Sequence, residues 1–134
     1  MEEIKLQVGV KALLKNKEGK YLLLKRNPEI YPDVKNNWDI VGGRINPGKS
    51  LFENLQREVY EETKLNLIKE PELIFAQDIL IPNKHVVRLT FIGEIEGTPI
   101  LDEEHLEYKW LTIEEMKLMS QLDNKLKEVL KEKF

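Results

Sequence analysis

The sequence predicts an α/β (α+β) fold in which a mixed β-sheet is covered by helices on both sides. Strand-like and helix-like patterns alternate along the chain, and two segments begin with the capping-box pattern that marks a helix start. The chain has 134 residues, which is enough for one domain with a real core, so we expect residues 1–134 to form a single domain.

The first part of the chain contains three apolar, strand-like runs. The first two are expected to form a β-hairpin around a turn at residues 16–19. A polar loop with two prolines then precedes a short third strand. These segments are residues 6–15, 20–25, 27–37 (the loop) and 38–41.

A helix follows the third strand. Ser50 and Glu53 have the spacing of a capping box, which predicts a helix that starts near Leu51 and runs to about residue 63. Leu51, Leu55 and Val59 recur at i, i+4 and i+8, so we expect them to line the side that packs on the core.

The second part of the chain predicts three strands and two helices. The strands are residues 72–81, 84–94 and 107–111, and Pro82-Asn83 connects the first two. Thr112 and Glu115 form a second capping box for a short helix to about residue 119. A final helix is predicted at 121–132, with four apolar residues facing inward: Leu122, Leu126, Val129 and Leu130.

Three carboxylates share one face of the first helix. Glu58, Glu61 and Glu62 stand at i, i+3 and i+4, so they project side by side and repel one another unless a cation lies among them. Oxygen ligands of this kind suit Mg²⁺ or Mn²⁺. The alternative is a solvated acidic face, which is common in a chain that is 34% charged. The glycine pair Gly42-Gly43 and the capped helix favour the metal site.

The segment from Gly43 to Leu65 resembles the Nudix box, G-x5-E-x7-R-E-U-x-E-E-x-G-U, where U is a bulky aliphatic residue. The matching positions are Gly43, Arg57, Glu58, Val59, Glu61, Glu62 and Leu65. Residues 21–26 and 38–43 also resemble the strands before a Nudix box, and residues 107–115 resemble the late strand and helix of that family. This resemblance implies a Nudix-type α/β/α sandwich with a mixed sheet.

Nudix enzymes hydrolyse a nucleoside diphosphate linked to another group. The resemblance therefore implies a metal-dependent pyrophosphohydrolase that cleaves a nucleoside triphosphate or another nucleoside diphosphate derivative by water attack. It implies that Glu58, Glu61 and Glu62 hold Mg²⁺ (or Mn²⁺), with the Gly42 carbonyl as an extra ligand. Arg57 would hold a box glutamate by ion pairing. The alternative is a Nudix-fold nucleotide-binding or regulatory module with weak or no catalysis.

Two positions depart from the box. Lys49 replaces a glutamate, so we expect it either to weaken a metal site or to contact a substrate phosphate. Lys64 replaces a glycine near the helix end, where a left-handed conformation costs another residue about 1 kcal/mol. Asn66 tolerates that conformation and offers an alternative cap two residues later.

Several further side chains are candidates for substrate contact or catalysis. Arg26 and Arg44 suit phosphate binding, although Arg26 is equally explained as the point where a strand leaves the core. Three aromatic residues could stack on a base: Trp38, Tyr31 and Tyr108. Trp110 is instead expected in the core.

Four glutamates are candidates for the general base that takes a proton from water: Glu58, Glu61, and either Glu103 or Glu104. His85 and His105 are expected at the surface.

Composition excludes several classes of protein. There is no Cys, which excludes disulfides, thiolate catalysis and Cys-based zinc sites. The net charge of −3 without a basic block argues against nucleic-acid binding. No apolar run reaches the length of a membrane span and no signal-peptide pattern is visible, so we expect a cytoplasmic protein. The expected partner is a small nucleotide, and the expected state is a monomer or homodimer.

Overall fold

The structure is a computed structural model that describes residues 3–134. The sequence predicts one short strand at residues 38–41, but the structure forms two strands there, which pair with different neighbours. The seven strands and three helices otherwise follow the predicted order. In chain order they are β1 (Lys5–Lys15), β2 (Tyr21–Arg26), β3 (Trp38–Asp39), β4 (Val41–Arg44), α1 (Leu51–Thr63), β5 (Glu72–Ile81), β6 (Lys84–Glu94), β7 (His105–Leu111), α2 (Ile113–Lys117) and α3 (Asn124–Lys133).

All seven strands belong to one mixed sheet. Its main order is β3-β2-β1-β6-β5, with β4 paired to β1 and β7 paired to β2. β1 and β6 run parallel along their whole length, from Lys5 opposite Lys84 to Lys15 opposite Glu94. The remaining pairs, which include β5 with β6 and β2 with β7, are antiparallel. The prediction of a mixed sheet is confirmed.

The predicted hairpin between the first two strands exists only at its turn. β1 and β2 pair at Lys15 opposite Tyr21 and then separate. The space beyond this pair is taken by β4, whose residues 41–44 lie antiparallel to residues 9–12 of β1. The opening of the hairpin therefore brings Gly42 and Gly43, which lie within β4 and not in a turn, into the middle of the sheet.

Helices cover both faces of the sheet, as the predicted α/β/α sandwich requires. On one face, α1 buries Leu55 and Val59 against a cluster that includes Val10, Ala12 and Val41. The other face is covered by α2 and α3, whose buried residues Met116, Leu126, Val129 and Leu130 pack with Leu13, Leu23 and Ile40. Leu51 was expected to pack inward but is 38% exposed, because it lies in the first turn at the edge of the core.

The helix starts agree with the sequence in part. The Ser50 side chain accepts a hydrogen bond from the Glu53 amide, but within residues 3–134 Glu53 makes no hydrogen bond back to Ser50. The capping box of α2 is complete between Thr112 and Glu115. The last helix starts at Asn124 rather than near residue 121, because the Asp123 side chain caps the amides of residues 125 and 126.

The end of α1 differs from the alternative cap considered above. Lys64 is itself the C-cap, with a left-handed φ of 62°, and its amide donates to the Tyr60 carbonyl. Asn66 therefore does not shift the cap. Lys64 accepts the strain because the Thr63 hydroxyl, which receives the next amide (Leu65) at 3.1 Å, holds the chain at this turn.

Within residues 3–134, no helix has both the length and the apolar character that crossing a membrane requires.

Candidate active site

The two glycines of β4 allow the acidic helix to approach the sheet closely. Gly42 has a φ of 142°, and a Cβ there would lie 2.0 Å from the Val10 carbonyl oxygen. A Cβ on Gly43 would lie 2.9 Å from Oε2 of Glu58. Both positions therefore require glycine, which is the physical reason for the pair that the sequence shows.

The three box glutamates differ in environment. The side chains of Glu58 and Glu62 are 12% and 6% exposed, whereas that of Glu61 is 55% exposed. The Gly42 amide donates to Oε2 of Glu62 at 3.2 Å, and this hydrogen bond joins α1 to β4. Two of the three carboxylates are thus held in place before any ligand binds.

Arg57 connects the glutamates to the preceding loop. Its Nη1 lies 3.0 Å from Oε1 of Glu58 and 3.4 Å from Oε2 of Glu61. Its Nη2 donates to the Arg44 carbonyl at 3.2 Å and to Oδ1 of Asn54 at 3.0 Å. One guanidinium therefore fixes both the carboxylates and the backbone that faces them, as planar multidentate donors do.

The raised pKa of Glu62 indicates that a bound cation would stabilise the charged carboxylates. Burial raises the pKa of Glu62 well above its usual value, Lys11 opposes this rise, and a hydrogen bond with Glu58 adds to it. Two carboxylates that lie close together in a buried place are stabilised in their charged form when a cation lies between them. Oxygen donors from Glu58, Glu62 and the Gly42 carbonyl therefore fit a hard divalent cation.

The third carboxylate has to turn before it could join this set. Within residues 3–134, no three acidic or His side chains already stand at metal-binding spacing. Glu61 is ion-paired with Arg57, and this pair holds the exposed Glu61 side chain beside the guanidinium.

A buried carboxylate, Asp39, and three basic side chains lie beside these glutamates. Asp39, which is 3% exposed, lies 3.1 Å from Lys11, 3.4 Å from Arg26 and 3.1 Å from Arg88. Burial alone would raise the pKa of Asp39, but Arg88, Lys11 and Arg26 together hold it well below its usual value. Arg88 also lies 3.3 Å from Asp123, the cap of α3.

A cleft of about 560 Å³ joins the glutamates to these basic side chains. Seven of the site residues that the sequence predicts line this cleft. They are Arg26, Gly42, Arg44, Glu58, Glu61, Glu62 and Glu104. Tyr31, which was suggested as a base-stacking residue, also lines the cleft. Burial, and after it the nearby Glu104 carboxylate, raises the pKa of the Tyr31 hydroxyl.

Four predicted site residues lie outside the cleft lining. Arg57 is one of them, and it contacts the lining residues Glu58 and Glu61 as described above. Trp38 is 6% exposed and packs in the core between the sheet and α3, so its ring is not available to a base. The Lys49 side chain is 65% exposed and lies 4.0 Å from Glu53. Glu103 points to a neighbouring shallow depression that also includes Glu61. Of the two candidate loop bases, only Glu104 lines the cleft.

His105 belongs to the site, and its expected surface position is wrong. Its side chain is 11% exposed, its Nδ1 lies 2.7 Å from Oδ1 of Asp102, and its Nε2 lies 3.6 Å from Oε1 of Glu62. No ligand spacing to another His marks it in the sequence. Its contact with Glu62 arises because β7 and α1 meet only in the folded chain.

Lys11 and Arg88 were also missed as members of the site. Each is a charged residue at an inward position of an otherwise apolar strand. A charge at such a position is nearly always paired or functional. That signal was available in the sequence and could have identified both.

The family is shown by comparison with known proteins. A family model described as the NUDIX domain matches residues 5–133. This chain belongs to the Nudix family. The resemblance of residues 43–65 to a Nudix box is thereby confirmed, and Nudix hydrolases act on phosphoanhydride bonds.

Two curated relatives of this Nudix chain are longer proteins. The chain is 28% identical to Nudix hydrolase 5 of Arabidopsis thaliana over 113 residues, which are 81% of the chain and 37% of that protein. It is 32% identical to the NAD-capped RNA hydrolase NudC of Chromobacterium violaceum over 88 residues, which are 66% of the chain and 31% of that protein. The chain thus spans about a third of the length of these relatives.

Solved structures of similar size have the same fold. The MutT protein from Methanosarcina mazei Go1 is 29% identical, with a TM-score of 0.82 over 98% of this chain and 94% of that one. The MutT NUDIX hydrolase from Burkholderia pseudomallei is 22% identical, with a TM-score of 0.78 over 97% of this chain and 99% of that one, and shows the fold alone.

Proposed function

We propose that this Nudix chain, as a single domain of residues 1–134, is a metal-dependent pyrophosphohydrolase. Its substrate would be a nucleoside triphosphate or another nucleoside diphosphate derivative, cleaved by water attack. The observation that carries this proposal is one cleft lined by both acidic and basic side chains. Its lining includes Glu58, Glu61 and Glu62 together with Arg26 and Arg44.

Glu58, Glu62 and the Gly42 carbonyl would hold Mg²⁺ (or Mn²⁺), and Glu61 would join them after leaving Arg57. Such an ion lowers the pKa of a bound water and neutralises charge on a leaving phosphate. The hydrogen bond from the Gly42 amide fixes the direction of Glu62, so the site needs little rearrangement at that ligand.

The remaining lining residues would bind and orient the substrate. Arg26 is 28% exposed and already paired with Asp39, so its guanidinium is held at the cleft while part of it stays accessible to a phosphate. Arg44 is exposed beside the glycine pair and can bind a second phosphate. Glu104 lines the same cleft and could take the proton of the attacking water, as could a box glutamate.

The alternative of a binding or regulatory module without catalysis rested on Lys49. The side chain of Lys49 lies at the surface beside Glu53 and outside the cleft lining. The departure at this position therefore gives little reason to expect a degraded site, and the hydrolase is the better supported reading.

A substrate panel tests the proposal. The purified chain is incubated with Mg²⁺ and nucleoside triphosphates, ADP-ribose, dinucleoside polyphosphates or NAD-capped RNA, and released phosphate and pyrophosphate are measured. We expect a monophosphate and pyrophosphate from at least one triphosphate. Glu62→Gln is the matched control, because it keeps the size of the side chain and removes its charge. Absence of hydrolysis with every substrate would contradict the proposal.

A further inference from the structure

Asn54 is a buried polar residue in a part of the box that the motif leaves unspecified. It lies in the second turn of α1 and is 1% exposed. Its Oδ1 accepts from the Asn46 amide at 2.7 Å, and its Nδ2 donates to the Ser50 carbonyl at 2.8 Å and the Lys49 carbonyl at 3.2 Å. One side chain thus satisfies backbone groups at both ends of the loop before the helix.

The same side chain also contacts Arg57. Oδ1 of Asn54 accepts from Nη2 of Arg57 at 3.0 Å, while Nη1 of Arg57 points to Glu58 and Glu61. Because the guanidinium is planar, fixing its Nη2 edge fixes the direction of its Nη1 edge. The geometry of two candidate metal ligands therefore depends on Asn54 through one intermediate residue.

Lys49 enters this arrangement through its backbone carbonyl, which accepts from Asn54. A glutamate at that position would place a carboxylate in the loop, and Lys49 instead extends into solvent, 4.0 Å from Glu53. Asn54 supplies acceptor and donor groups to the loop from beneath, where water does not compete for them.

We propose that Asn54 is a positioning residue that holds Arg57, and with it Glu58, in the arrangement that binds the metal, and that it sets the position from which Glu61 turns toward the ion. The effect on catalysis rests on the proposed function, whereas the coupling between Asn54 and Arg57 does not. Side chains that orient metal ligands typically change metal affinity or activity by about 10–100-fold when removed.

A double-mutant cycle tests this coupling. The variants are Asn54→Ala, Arg57→Ala and both together, compared with the original chain. We expect Asn54→Ala to lower kcat by ~10-fold or more while KM changes less than about 2-fold. In the Arg57→Ala background, Asn54→Ala should change kcat by less than about 2-fold, because the residue through which it acts is gone.

Thr63→Ala is the matched structural control. Thr63 is also buried and polar on α1, and its hydroxyl donates to the Val59 carbonyl at 2.6 Å, but it lies at the other end of the helix and does not contact Arg57. It should lower thermal stability without lowering kcat below the melting temperature. A purely structural role for Asn54 would give the same pattern as Thr63 and would overturn the proposal.

Two readouts do not need turnover. Calorimetry with Mn²⁺ alone should show weaker binding in Asn54→Ala, and no further weakening when Arg57 is already Ala. Trypsin, with no metal present, should cut the loop after Arg44 or Lys49 faster in each single variant. In the double variant the increase should be smaller than the product of the two single effects, because Asn54 bonds the loop directly but also acts on it through Arg57. Independent, multiplicative effects in kcat, Mn²⁺ affinity or cleavage rate would overturn the proposal.

The outcomes separate the two proposals. If the original chain hydrolyses nothing and binds no Mn²⁺, the proposed function fails, and coupled rates of tryptic cleavage still support the positioning role. If hydrolysis is present but Asn54→Ala leaves kcat and Mn²⁺ affinity unchanged, the positioning role fails and the proposed function stands.

Discussion

The Gly42 amide donates a hydrogen bond to Oε2 of Glu62 at 3.2 Å, and this contact joins the glycine pair of β4 to the acidic face of α1. The same peptide region offers the Gly42 carbonyl to the cleft, where Lys11 approaches it at 3.5 Å. The hydrogen bond fixes the Glu62 carboxylate relative to the backbone of Gly42, so a cation bound between them would meet two oriented oxygen ligands.

Hydrolysis should require a divalent cation. Burial raises the pKa of Glu62 well above its usual value and the neighbouring Glu58 carboxylate adds to this rise, so a cation is needed beside the two carboxylates before a phosphate group can approach. Activity should disappear with EDTA and return with excess Mg²⁺ or Mn²⁺, measured as release of pyrophosphate. Full activity in the chelator would exclude the metal mechanism.

Removal of single charges from the acidic face should lower kcat strongly. Glu58→Gln, Glu61→Gln and Glu62→Gln should each lower kcat by at least ~100-fold, since each removes a charged ligand at constant size. Glu103→Gln is the control, because Glu103 lies outside the lining of the cleft, and it should change kcat less than about 3-fold. Original rates in all three box variants would show that the acidic face is only solvated surface.

Local patterns predicted most of the elements, including the helix that carries the box glutamates, because capping and apolar periodicity depend on neighbouring residues alone. The helix containing Glu58 and Glu62 follows from Ser50 and the apolar period, and the fold follows from alternating strand and helix patterns. The pairing of β1 with β4 and β6 was not predictable, because several partners satisfy one apolar strand equally well.

Residues that join the site from distant strands were mostly missed for the same reason. His105 contacts Glu62 only after β7 reaches α1, and no spacing in the sequence encodes that approach. Trp38 was predicted to stack on a base but lies in the core. An aromatic residue on a short strand can face either side of the sheet, and the direction depends on the pleat of β3. By contrast, Arg88 interrupts the apolar pattern of β6 and was detectable.

Asp39 should make stability depend on pH in acid. Its folded pKa is lowered by Arg88, Lys11 and Arg26 against the effect of burial, so it contributes stability above its unfolded pKa of about 3.9. That contribution is lost as the pH falls below about 4 toward the lowered folded value. Asp39→Asn should cost about 3–5 kcal/mol at pH 7, because it leaves buried cations without a counterion.

Thermal unfolding of both forms from pH 7 to pH 2.5 measures this effect. The difference in melting temperature between the original chain and Asp39→Asn should shrink as the pH falls. Glu94→Gln is the control, because Glu94 pairs with Lys69 in an exposed position and its loss should change the melting temperature little. A constant difference across the pH range would contradict the role of the Asp39 charge.

Lys49→Glu should have only a small effect. The sequence alone suggested that this change would tighten metal binding or raise KM. Because the Lys49 side chain is 65% exposed and outside the cleft lining, water screens its charge from the carboxylates. We expect Mn²⁺ affinity and KM to change less than about 2-fold. Isothermal titration and steady-state kinetics on both forms check this, and a change of ~10-fold would show that the loop moves Lys49 into the site.

Lys64→Gly should stabilise the fold. Lys64 holds a left-handed φ of 62° at the end of α1, a conformation that costs a residue with a Cβ about 1 kcal/mol relative to glycine. The change also removes the contact of the Lys64 ammonium with the Tyr60 ring at 5.2 Å, which is worth less because Tyr60 is 49% exposed. Chemical denaturation should therefore show a net gain of up to about 1 kcal/mol. Lys64→Ala is the control, because it removes the same ring contact and keeps the strain, so it should be no more stable than the original chain. Equal stability of the Gly and Ala variants would show that the left-handed turn carries no strain in this chain.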